Sequence, residues 1–118
     1  MEFVLTFNQP IEEIERHDDP QQGPAAMEPW KAYMGEMAAA GVMRGGNRLA
    51  PPWTATTVRS RGGQRMVQDG PFADTKELAA GYVVIDVASL DEALKWAEKS
   101  PSTAIGSTEV RPVARPPQ

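Results

Sequence analysis

The sequence contains no cysteine and a single histidine, His17. The first absence excludes disulfides, thiolate metal sites and a cysteine nucleophile. The second puts the usual multi-histidine zinc sites out of reach. No run of acidic residues has the spacing of a calcium loop, so neither a metal nor another cofactor is expected. Positive charge is also short. Twelve Lys and Arg against 16 Asp and Glu leave a net charge of −4, which argues against direct nucleic-acid binding. No apolar stretch approaches the roughly 20 residues needed to span a bilayer. The first residues carry Glu2 and lack a basic segment ahead of a long apolar one, so they do not read as a signal peptide. These exclusions leave the expectation of a soluble cytoplasmic protein. At 118 residues, 41% apolar and 24% charged, the chain suits one globular domain spanning residues 1–118.

Hydrophobic patterning supplies the elements. Phe3, Val4, Leu5, Thr6 and Phe7 form a short, almost wholly apolar run, which predicts a central strand buried on both faces. Ile11 to Gly23 is polar and acidic and reads as a loop with one helical turn. Pro29 suits the first position of a helix. Trp30, Tyr33, Met34, Met37 and Gly41 then follow one helical face, and Gly41 offers a left-handed stop. Gly45-Gly46 and Pro51-Pro52 bracket an irregular link.

Further along, Trp53 to Ser60, a turn at Gly62-Gly63 and the return Gln64 to Gln68 predict a β-hairpin. Gly81 to Val87 is the clearest strand; Val83, Ile85 and Val87 alternate with Tyr82, Val84 and Asp86. Ser89 with Glu92 is a capping box opening a helix whose stripe is Leu90, Ala93, Leu94 and Ala97, closed by Pro101. Ser107 to Val113 reads as the last strand. The order β-α-β-β-β-α-β predicts an α+β fold: a ferredoxin-like antiparallel sheet with two helices on one face. Two helices cover only one side of that sheet. A homodimer that stacks sheet on sheet would cover the other.

One stretch concentrates turn residues and charge: Asp69-Gly70-Pro71-Phe72-Ala73-Asp74-Thr75-Lys76-Glu77. On these residues the chain resembles the YCII-related family, and within it the branch named for Asp-Gly-Pro-Phe, the DGPF branch. Ala40-Gly41-Val42, Leu49-Ala50-Pro51-Pro52, Gly81 to Val87, Leu90 to Ala97 and Gly106 to Val113 extend the resemblance over nearly the whole chain. It implies a dimeric α/β barrel built from ferredoxin-like units. Some YCII-like relatives are enzymes that use a His–Asp pair on small aromatic or quinol-type substrates. Members of the DGPF branch are similar to proteins encoded beside or fused to alternative sigma factors, which implies regulation. The enzymatic relatives carry their histidine after the first strand in a settled context, whereas His17 stands here in an acidic segment.

The candidate residues each carry two readings. Asp69 suits a general base or ligand anchor, and equally a turn carboxylate bonded to backbone N–H groups. His17 is the only natural proton shuttle, and Asp18 and Asp19 beside it would favour its charged form; the other reading is an exposed loop histidine. Trp30, Tyr33 and Trp53 suit the wall of an aromatic pocket, or the core. Phe72 suits a ligand contact or a plug for its loop. Lys76 suits an anion contact, or a solvated charged turn. Arg44, Arg48, Arg59, Arg61 and Arg65 form a basic stretch without Asp or Glu that suits an anionic ligand or an acidic partner surface, with Arg59 and Arg61 on one face of their strand, or else a solvated hairpin. Two functions follow: a small-molecule-binding or regulatory module without catalysis, or a lyase-like enzyme acting on a small organic acid or phenolic compound through Asp69 and His17.

Overall fold

The computed structural model describes residues 1–71 and 76–116. Strand β1 (Glu2–Pro10) lies inside a four-stranded antiparallel sheet with β2 (Met43–Arg48), β5 (Glu77–Asp86) and β6 (Ser107–Pro112), in the order β2-β5-β1-β6. Helices α1 (Ile11–Asp18) and α2 (Gly23–Ala40) link β1 to β2; α3 (Leu90–Lys99) and the short α4 (Pro101–Ile105) link β5 to β6. Taking these strands as first to fourth in the chain, the spatial order is 2-3-1-4, the ferredoxin-like arrangement. The remaining strands, β3 (Thr56–Arg61) and β4 (Gln64–Asp69), pair only with each other as a separate two-stranded sheet.

The core forms on one face of the large sheet. Phe3, Leu5 and Phe7 of β1 and Val83 and Ile85 of β5 point to that face. Against them pack Trp30, Tyr33 and Met37 of α2 and Ala93 of α3. Rings lock the two layers: Phe7 meets Trp30 edge-on at 4.9 Å and Tyr33 at 6.0 Å, and Tyr33 meets Trp96 at 6.5 Å. Val4 and Thr6 of β1 and Tyr82 and Val84 of β5 point to the opposite face and are only half-buried. The expected two-faced burial of β1 is therefore corrected, because helices of this chain cover a single face.

Several elements match their local signals. Ser89 accepts a hydrogen bond from the Glu92 backbone N–H at 3.3 Å, which caps α3 as expected. Gly41 ends α2 at φ +70°. Gly62 and Gly63, both with positive φ, turn the β3–β4 hairpin.

Several elements differ from expectation. The β3–β4 hairpin, expected within the main sheet, stands apart from it and β2 fills that place, while the short α4 follows at Pro101, where the last helix was expected to close. The segment after β1, expected as a loop with one helical turn, holds the eight-residue helix α1. Glu12 and Glu13 lie in its first turn and Arg16 and His17 in its last, complementing the helix dipole, while Ile14 is its one buried residue. Its inward face sets one apolar residue, Ile14, beside the polar Glu13 and His17, which leaves no apolar stripe, so pattern reading misses the helix. Helix α2 starts at Gly23, six residues before Pro29, and Pro29 sits within it. Its fixed φ fits a helix, and the buried stripe Ala26, Trp30, Tyr33 and Met37 runs straight through it. Finally, Gly45-Gly46 lies within β2, not in an irregular link. Gly46 approaches β5 so closely that a Cβ there would stand 2.6 Å from the Tyr82 carbonyl oxygen.

This packing sets an expectation for stability. Met37 is fully buried, so Met37→Ala should cost about 2–5 kcal/mol in urea unfolding. Met66, half exposed on the separate hairpin, should tolerate the same change within about 0.5 kcal/mol.

Candidate functional site

Between α2 and the β2–β5 edge of the sheet lies a cavity of about 300 Å³. Its volume is at the small end of ligand pockets, about right for a single ring. The cavity exists because side chains are missing from one corner of the sheet. Gly46 and Gly81 line it where a Cβ would collide with the neighbouring strand. Ala80, also lining, is the extra residue at the irregularity where β5 passes from Phe7↔Gly81 to Asn8↔Ala79. Phe7, Trp30, Met34 and Met43 supply apolar walls.

His17 is the histidine on that wall. Its side chain is only 6% exposed. Nε2 stands 3.1 Å from Glu13 Oε1, one turn earlier on α1. A carboxylate only accepts, so Nε2 carries the proton and donates it to Glu13. The same Glu13 oxygen accepts from Arg16 Nη1 at 2.7 Å. Nδ1 lies 3.1 Å from the Met27 sulfur.

Burial holds the His17 pKa below its ordinary value. Glu13 opposes this by its charge and hydrogen bond, while Arg48 and Arg16 add to it. The expected charging of His17 by Asp18 and Asp19 is thus corrected: desolvation leads, and the net shift is toward the neutral form. Asp19 is turned the other way. Its carboxylate accepts from the backbone N–H groups of Gln21 and Gln22 at 2.7 and 3.1 Å, which lowers its pKa.

A neutral imidazole whose N–H is held by a carboxylate keeps a lone pair on its other nitrogen. That is the electronic arrangement of a general base.

Of the other expected site residues, Trp30 lines the cavity with His17. Tyr33 belongs to the core. Its hydroxyl donates to the Trp96 carbonyl at 2.8 Å, and burial pushes its pKa far above the ordinary phenol range. Trp53 sits exposed in a short turn at Pro52–Thr54. Arg59 lies on β3 and Lys76 just before β5; neither lines the cavity.

Asp69 is the last residue of β4, exposed and opposite Thr56, and it is not among the cavity residues. The backbone beyond it is tied down. Gly70 N–H donates to the Ala55 carbonyl at 2.7 Å, and Thr57 Oγ1 donates to the Gly70 carbonyl at 2.8 Å. Phe72 lies outside the described residues.

Sequence reading missed Glu13, Gln9 and Met27. Glu13 was findable, since Glu and His four apart face each other once α1 is recognised as a helix. Gln9 and Met27 reach the cavity only through tertiary packing.

The topology defines the class: a ferredoxin-like α+β protein with a small pocket between its second helix and the sheet edge. The YCII-related domain matches residues 1–116, and the chain belongs to that family. An uncharacterised protein of Rhizobium meliloti (strain 1021) is 52% identical over 71 residues, which is 57% of this chain and 56% of that protein. The match therefore spans a little over half the length of that curated relative. Among solved structures, the chain is similar to 5-chloro-2-hydroxyhydroquinone dehydrochlorinase from Burkholderia phenoliruptrix AC1100, in complex with 2,5-dihydroxybenzoquinone. The TM-score is 0.53 at 18% identity, covering 98% of this chain and 96% of that one, a likeness of fold. Among the described residues, no helix is long and apolar enough to cross a membrane.

The His17 environment gives a pH dependence of definite sign. The folded pKa lies below the ordinary 6.5, so the unfolded chain binds this proton more tightly. The site's contribution to stability is complete above about pH 6.5 and is lost as pH falls through the folded value. Between about pH 7.5 and about pH 5, the urea midpoint should fall more for the wild type than for His17→Gln.

Proposed function

We propose that this cavity binds a single-ring phenolic compound or small organic acid, and that His17 moves a proton on it in lyase-like chemistry. The observation that carries the reading is the neutral, buried imidazole on the cavity wall with its Nε2–H held by Glu13. His17 Nδ1 accepts a proton from the bound molecule, and Glu13 stabilises the imidazolium that forms. Glu13 takes the carboxylate role first expected of Asp69. The dehydrochlorinase named above acts on a substituted hydroquinone, which agrees with this substrate class; its likeness to the chain is one of fold.

One observation favours the other reading, a binding or regulatory module without catalysis. The Met27 sulfur, 3.1 Å from Nδ1, stands where a substrate proton would have to come. Methionine is flexible enough to swing aside for a ligand, so catalysis is the reading adopted. In the regulatory reading, the exposed β3–β4 hairpin would be the surface offered to a partner such as a sigma-factor system. The DGPF branch, suggested by Asp69-Gly70-Pro71-Phe72, is part of the same proposal.

The test is turnover of hydroxylated and chlorinated hydroquinones, with 2,5-dihydroxybenzoquinone as a binding probe. His17→Gln should lower kcat by about 10²-fold or more, and Asp69→Asn should leave it unchanged. An inactive Asp69→Asn beside an active His17→Gln would return the chemistry to the hairpin. Binding without turnover, unaffected by His17→Gln, would establish the module reading.

The half-buried sheet face of Val4, Thr6, Tyr82 and Val84 supports a homodimer stacked sheet on sheet. Light scattering at micromolar concentration should give twice the 12.8 kDa chain mass. A stable, folded monomer at that concentration would remove the dimer proposal.

A further inference from the structure

Inside the cavity, one buried polar group lacks a partner. Gln9 is 2% exposed, lines the cavity, and its Nε2 has no hydrogen-bond partner among the described residues. An unsatisfied buried amide donor costs about 1–3 kcal/mol, so a bound oxygen acceptor there recovers energy the empty fold forgoes.

The charges lining the cavity are of one sign. Arg48 and Lys31 both line it, and no Asp or Glu does. Lys31 is engaged with Glu28 at 3.6 Å on the outer surface of α2. Arg48 sits opposite Gly81, which points no side chain across its stem. Among the described residues its guanidinium makes no ion pair or hydrogen bond. It is close enough to His17 for its charge to act on the imidazole.

We propose that the cavity selects a planar, single-ring anion, a hydroxyaromatic acid or its equivalent. Arg48 holds the charged group, Gln9 donates to a ligand oxygen, and the ring lies against Phe7 and Trp30. This rests on the ligand-pocket reading above and adds the charge of the ligand and the residue that reads it. Guanidinium is suited to the task because its planar donors match a carboxylate's two oxygens.

The test uses 4-hydroxybenzoate and its neutral isostere 4-hydroxybenzamide. His17 is the chain's single histidine, so its imidazole NMR signals report binding without ambiguity. The wild type should bind the acid about tenfold or more tightly than the amide. Arg48→Gln, at an exposed position with the fold checked by its urea midpoint, should remove that preference and leave amide affinity within about twofold. Gln9→Leu should weaken both probes. In the wild type, bound acid should also raise the His17 titration midpoint, because the anion offsets the Arg48 charge; the amide should not. Equal binding of acid and amide, or an Arg48→Gln protein that keeps the preference, overturns anion selection while the pocket reading stands. If neither probe nor 2,5-dihydroxybenzoquinone moves the His17 signals at millimolar concentration, the pocket reading falls and this inference with it.

Discussion

The contact between Phe7 and the rings of α2 is the interaction on which the rest of the molecule depends. Phe7 stands on the central part of β1, with Trp30 edge-on at 4.9 Å and Tyr33 at 6.0 Å. Each such pair adds about 0.5–1.5 kcal/mol to the burial of large apolar surfaces. More importantly, the rings fix how far α2 stands from the sheet. Tyr33 carries the constraint onward to α3 through its hydroxyl bond to the Trp96 carbonyl. Where the rings end, towards β2, the space between helix and sheet is no longer filled, and the cavity begins. Phe7 and Trp30 therefore serve both as core and as cavity wall.

That cavity is built by subtraction. It is a cleft of about 300 Å³ open to solvent at one corner of the sheet. Glycine at 46 and 81 and the irregularity at Ala80 supply it, because backbone approaches backbone where side chains would otherwise fill the corner. The same close approach makes Gly46 part of a strand despite its poor β-propensity. One local feature thus accounts for both the edge strand and the empty corner beside it.

The chemistry follows from where α1 puts His17. An exposed imidazole among acidic residues would be pulled towards its charged form. Here α1 turns the ring inward, where desolvation outweighs the attraction of Glu13. Arg16 shares Glu13 and weakens that attraction further. The outcome is a buried imidazole held by a carboxylate beside an apolar space, with its pKa lowered. Asp69, by contrast, belongs to a hairpin that pairs only with itself, away from the sheet that frames the cavity.

Much of the fold was legible in the residues. The alternation along Gly81 to Val87, the capping box at Ser89, the Gly62-Gly63 turn and the stop at Gly41 are local signals. Local conformational preference makes each element nearly independent of its surroundings, but the ferredoxin-like order also needs β2, which pairs with β5, whereas the Gly62-Gly63 hairpin stands outside that sheet. Helix α1 and strand β2 were not legible, because the inward face of one carries a single apolar residue, Ile14, and the other shows little but glycine and charge. The candidate site was legible in His17, in Trp30 and, as one of five basic residues, in Arg48. The sequence determines which side chains are present and which short segments they shape. The tertiary structure alone decided that Gln9, His17 and Arg48 line one cavity, and that burial moves His17 toward its neutral form. Burial and distance are set by segments far apart in the chain, and no local pattern records them.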